Sequence, residues 1–201
     1  MNKQNNVKCP ICGKIGEMVK RDNHTMECKL CHSISFYNEE TDEYILSDFE
    51  LTELNKGDIY DVFISTKISL KTEDNPNLVG VTKDSILALE LYHELTRNGL
   101  KVFYSDMMLG GINYEAQVNS ALMRSKYLLV VSTKKEYLES SWVKSEWEKW
   151  LYLIDKGYKN QNGLKLYIPK RNYFELPYKL HKFQIFDNPL QVISSFEGNI
   201  N

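Results

Sequence analysis

The chain has 201 residues, 42% of them hydrophobic and 12% aromatic, enough for one packed core and a small extra module. A formal charge of −2 supplies no overall basic field, which argues against nucleic acid as a partner. No apolar run approaches the roughly 18–20 residues that cross a bilayer, and MNKQNNVKCP lacks the apolar segment of a secretion signal, so a cytoplasmic location with reduced thiols is expected.

The chain opens on its four cysteines, Cys9, Cys12, Cys28 and Cys31, spaced as C-x2-C, fifteen residues, C-x2-C. Two such knuckles can each present two thiolates to one tetrahedral ion. Pro10 and Gly13 supply turn geometry around the first knuckle. A zinc ribbon over residues 1–37 with structural Zn2+ is therefore expected, and a disulfide reading is disfavoured by compartment. His24 and His32 are alternative ligands in principle, but four thiolates already close a site. Residues 38–57 are acidic and weakly periodic, and read as a linker with room for a short helical or extended piece.

From Tyr60 the pattern becomes regular, and residues 58–201 read as one α/β domain. Strand signals fall at Tyr60–Ser65, Lys101–Tyr104, Tyr127–Val131 and Lys165–Ile168, with a weaker one at Lys182–Phe186. YDVFI and YLLVV are near-continuous apolar runs, as strands covered on both faces require. Helices are expected from Ser85 to Asn98, with Asp84 as N-cap and Gly99 as C′ residue, and from Tyr114 to Arg124. A third, starting after Ser140 or Ser141, carries Val143, Trp147, Trp150, Leu151 and Ile154 as one stripe. This alternation predicts a central parallel sheet, with ligands beyond the carboxyl ends of its strands.

Four segments in order, YDVFIS, GLKVFYSDMMLGG, YEAQVNSALMRSKYLLVVS and SSWVKSEW, resemble a Toll/interleukin-1 receptor (TIR) domain. The chain also resembles bacterial TIR proteins with a VTKDS-like stretch before the first helix, here Val81 to Ser85. The resemblance implies a flavodoxin-like fold and cleavage of NAD+ at the nicotinamide–ribose bond, giving ADP-ribose or a cyclic isomer, in anti-phage defence or signalling. It also implies self-association through TIR domains. It places the catalytic glutamate at Glu146, with Trp142 one turn earlier. Ser65, Thr66 and Lys67 lie where such enzymes position substrate, although a simple loop start explains them as well.

The residues of that helix are compatible with the assignment. At about 100° per residue, Glu146 falls on the shoulder of the apolar stripe, where a carboxylate reaches a cleft while partly desolvated. The alternative is a surface glutamate, alongside Glu136, Glu139 and Glu148. Tyr104 could stack on a substrate ring or be half-buried core. Met107, Met108 and Leu109 are apolar in the loop 106–113, which suits a partner subunit or packing back onto the domain. G-x-G-x-x-G after the first strand is absent, so NAD+ would be substrate and not a bound redox cofactor. A non-enzymatic TIR adaptor, and a zinc ribbon that senses protein or nucleic acid, remain alternatives.

Overall fold

The computed structural model describes residues 18–20, 25–30, 34–38, 43–46, 48–70, 77–107, 114–169 and 174–197. Four short strands near the N-terminus pair antiparallel in chain order: β1 (Met18–Lys20), β2 (Thr25–Cys28), β3 (Ile34–Asn38) and β4 (Glu43–Leu46). The register sets Met18 opposite Cys28 and Phe36 opposite Ile45. β4 and the helix that follows it, α1 (Asp48–Asn55), occupy residues expected to be linker. The acidic composition hid an apolar seam: Leu46, Leu51 and Leu54 pack with Met18, Met26 and Cys28. Fully burying a leucine or methionine, as at Leu46 and Met18, contributes about 1.5–3 kcal/mol. Two of the acidic residues, Glu50 and Glu53, point into the protein and not to solvent.

The near-continuous apolar runs become a parallel sheet of β5 (Tyr60–Thr66), β6 (Val102–Tyr104), β7 (Ser125–Val131), β8 (Leu164–Tyr167) and β9 (Gln184–Phe186). Their order, β6-β5-β7-β8-β9, is that of a doubly wound flavodoxin-like sheet. The connecting helices are α2 (Lys83–Arg97), α3 (Tyr114–Met123), the short α4 (Lys135–Leu138), α5 (Ser141–Asp155) and α6 (Pro189–Glu197). All five expected strands and three expected helices form within a few residues of their predicted limits. The N-cap of α2 is a correction. Thr82, not Asp84, accepts the Ser85 backbone N–H, at 3.0 Å, because Asp84 already lies within the first helical turn. At the other end Gly99 follows the cap with φ of 86°, a left-handed conformation that glycine adopts without strain.

Side-chain alternation divides the sheet's contacts. Phe63, Leu128, Val130, Leu164 and Leu166 pack against α3 and α5 through Val118, Leu122, Val143, Trp147 and Trp150. Val62, Ile64, Leu129, Val131 and Tyr167 pack against α2 and α6 through Leu91, Leu95, Val192 and Phe196. The antiparallel sheet and α1 meet the parallel-sheet domain at Met123 of α3 and Leu153 of α5. The N-terminal unit therefore rests on the same layer that carries Glu146.

Candidate active site around Glu146

α5 begins after Ser140, and its apolar stripe fixes its rotation. Val143, Trp147 and Trp150 enter the core, and the Trp147 indole N–H donates to the Leu138 carbonyl at 3.1 Å, tying α5 to the end of α4. That rotation carries Glu146 further inward than the rim position expected: it is 6% exposed. Burial pushes its carboxyl up to about 8, since a carboxylate loses hydration there that little replaces. The Ser65 hydroxyl and the Trp142 side chain oppose that rise by favouring the charged form, and Lys149 adds a weaker attraction. Ser65 Oγ lies near the carboxylate without forming a full hydrogen bond, so its acceptor and donor capacity is not spent.

These groups converge for definite reasons. Ser65, next to last in β5, lies on the same side as Phe63, by strand alternation, and so faces α5. Trp142 sits four residues before Glu146, on the same helical flank, and stays partly exposed, with its ring 6.3 Å from that of Tyr114 on α3. Glu146, Ser65 and Trp142, all singled out from sequence, thus meet at the carboxyl end of the sheet. A buried carboxylate with few donors, beside an aromatic wall, can stabilise positive charge that develops in a bound ligand.

The other expected substrate residues do not join this group. Thr66 faces the opposite side of the sheet, is buried, and donates its hydroxyl to the Val131 carbonyl at 3.1 Å. Lys67 follows the strand and is partly exposed, and its carbonyl accepts from the Thr82 hydroxyl. Tyr104 is buried beneath α2, with its hydroxyl 3.1 Å from Ser85 Oγ. Burial pushes that phenol up to about 12. The position is core, not a free stacking face. Met107 is exposed, as expected of the loop, while Met108 and Leu109 lie outside the described residues. A groove of about 530 Å³ follows the free edge of β6, lined by Ile59, Tyr92, Tyr104, Met107 and Gln117 among others, and Glu146 is not part of it.

Several functional-looking contacts escaped the sequence reading. Lys149 is buried on α5, its Nζ 3.0 Å from Glu50 Oε1 of α1 and 2.6 Å from Asn119 Oδ1 of α3. Glu148, expected at the surface, is buried, with Lys179 Nζ 3.7 Å away, because the segment after β8 covers that flank; Glu136 and Glu139 are exposed as expected. Asp84 is also buried, and its Oδ1 accepts the Thr133 backbone N–H at 3.0 Å together with the Thr133 hydroxyl. Burial pushes the Asp84 carboxyl up, against these donors. VTKDS carried the only hint of this contact. Periodicity could not reveal the others, since each partner comes from a different element.

Of the four expected metal ligands, Cys28 alone falls in the described part of the chain. It is buried at the end of β2, and a turn follows at Lys29 and Leu30. Cys9, Cys12 and Cys31 lie outside the described residues. Among the described residues no helix is long and apolar enough to cross a membrane.

A parallel sheet in this order defines a doubly wound α/β domain, and the buried carboxylate of Glu146 lies at the carboxyl end of its strands. The TIR domain family model matches residues 81–188, more than half of the chain, and the protein belongs to the TIR domain family. β5 precedes the matched stretch yet is hydrogen-bonded between β6 and β7, so the folded domain extends beyond it. Searches of curated proteins and of solved structures gave no match.

Proposed function

We propose that this TIR domain cleaves NAD+ at the bond between nicotinamide and ribose, with Glu146 as the catalytic carboxylate. The observation that carries the reading is the burial of Glu146 beside Ser65 and Trp142, which pushes its carboxyl up to about 8 in spite of both neighbours. TIR domains include NAD+-cleaving enzymes and adaptors, and an adaptor has no need of a buried carboxylate held so far from its ordinary ionisation.

The chemistry suits one carboxylate. Breaking the C1′–N bond sends its electron pair to the pyridinium nitrogen, so nicotinamide leaves neutral and needs no proton. The difficulty is the positive charge that spreads over the ribose ring, as in glycoside hydrolysis. Ionised Glu146 offsets that charge or holds the ribose hydroxyls, and the cationic nicotinamide ring itself favours the ionised form. Trp142 walls the ring, and Ser65 offers a hydroxyl to the ribose or the carboxylate. Thr66 and Lys67 then shape the loop beside the site. Water attacks C1′ to give ADP-ribose and one proton, or a hydroxyl on the adenosine side attacks to give a cyclic isomer.

The proposal extends to the rest of the chain. Cys9, Cys12, Cys28 and Cys31 hold one structural Zn2+. Cys28 at a strand end, followed by a turn, fits the second knuckle of such a site. We place the protein in the bacterial, cytoplasmic branch of NAD+-cleaving TIR proteins, acting in anti-phage defence and assembling through its TIR domains, with exposed Met107 near the contact. The test compares nicotinamide release by wild type, Glu146→Gln and the exposed control Glu136→Gln. Wild type and control should match while Glu146→Gln falls. Equal release by all three would remove Glu146 from the mechanism.

A further inference from the structure

A charged network links the N-terminal unit to the proposed catalytic helix. Lys149 lies three residues after Glu146 on α5, the spacing at which helical side chains are neighbours. It is 4% exposed, and its ammonium is held by Glu50 of α1 and Asn119 of α3 at 3.0 and 2.6 Å. Asn119 in turn approaches Glu50 Oε1 through its amide, at 3.5 Å, so one carboxylate closes the set. A buried ammonium is tolerated only when paired, and losing one partner leaves the other uncompensated.

We infer that Glu50 is a positioning residue for the reaction: through Lys149 it fixes and partly neutralises the cation that stands one turn from Glu146. The inference rests on the reading of Glu146 as the working carboxylate. Its consequence is that α1, outside the residues matched to the family, is part of the catalytic unit. Among the described residues, the groups facing this cluster are few. Ser65 comes from β5, and Trp142 and Lys149 from α5, against Glu146; Glu50 comes from α1 and Asn119 from α3, against Lys149. Glu53, the next carboxylate along α1, is engaged by Lys56 and by Ser120 of α3 and serves a separate contact. Glu148 points to Lys179.

A merely structural ion pair would alter stability alone, whereas a positioning pair shifts Glu146 in opposite directions as each partner is removed. Lys149 attracts the ionised form of Glu146, and Glu50 weakens that attraction. The ionisation of Glu146 can be followed by carbon NMR of labelled glutamate carboxyls in the full chain, assigned through its loss in Glu146→Gln. Lys149→Met should raise the midpoint by about one pH unit, and Glu50→Gln should lower it by a smaller amount. The double variant Glu50→Gln/Lys149→Met leaves no buried charge alone, so it guards against a single variant that fails to fold. Its midpoint should lie above wild type and below Lys149→Met, since the nearer charge dominates. The pH profile of nicotinamide release should follow the same order. Identical midpoints across wild type, both single variants and the double variant would overturn the inference. A wild type that releases no nicotinamide would overturn the reading of the site, and the NMR order would still decide the coupling.

Discussion

Two buried carboxylates stand on opposite sides of the same sheet, and they are not equivalent. Asp84, at the start of α2, accepts a backbone N–H and a hydroxyl from Thr133, so it latches the loop after β7. Glu146, on α5, is approached by two side chains, Ser65 and Trp142, which favour its ionised form without offsetting its burial. Burial raises both acids. The difference lies in what surrounds each carboxylate. Asp84 Oδ1 is spent on the fold and its Oδ2 is buried without a hydrogen-bond partner among the described residues, whereas Glu146 lies beside the partly exposed Trp142 and, in the proposed reaction, faces the ligand.

The comparison predicts variants of opposite behaviour. The largest effect should be on turnover: Glu146→Gln should lower nicotinamide release by about 10²–10³, the usual cost of one preorganised electrostatic partner. The same variant should gain stability, because it removes a buried group that resists ionisation. The folded-state value of about 8 lies above the ordinary 4.5, so between these values the folded protein holds more protons than the unfolded chain. Stability therefore falls as pH rises from about 4.5 through 8, by on the order of 5 kcal/mol from this group. Melting curves should show Glu146→Gln gaining several degrees over wild type at pH 8 and little at pH 5. A gain that is the same at both values would contradict the burial argument.

Asp84→Ala should do the reverse. It strands a buried N–H and a hydroxyl of Thr133, at about 1–3 kcal/mol for each orphaned group. With about 2–4 °C of Tm per kcal/mol in a chain of this size, scanning calorimetry should show a loss of several degrees. Asp84→Ala melting at the wild-type temperature would remove the latch. The smallest effect is expected at Tyr104→Phe. Losing the hydroxyl beside Ser85 should cost about 1 kcal/mol and leave nicotinamide release unchanged. A fall in release well beyond the stability loss would return Tyr104 to the site.

Much of the parallel sheet was legible because doubly covered strands must be apolar throughout, and YDVFIS and YLLVV are so. Glu146, Trp142 and Ser65 were legible from motif order, and helical and strand spacing brings them together. β4 and α1 were not. Their apolar residues are sparse, and Glu50 and Glu53 read as solvent-facing until Lys149 and Ser120, far along the chain, provide partners. Glu148 was misplaced for a related reason: helical periodicity locates a flank, but not the later segment around Lys179 that covers it. Thr66 and Tyr104 share one cause. Strand alternation sends their side chains to the α2 side, away from α5, although both lie near the carboxyl ends of their strands.

The central claim is that ionised Glu146 supports departure of nicotinamide, and kcat/KM reports ionisations of the free enzyme. Measured from pH 6 to 9, kcat/KM for nicotinamide release should rise with pH and level off, with a midpoint near the value of about 8 that burial gives Glu146. Glu146→Gln should show residual release without that rise. A wild-type profile that is flat, or that falls across this range, would contradict the account.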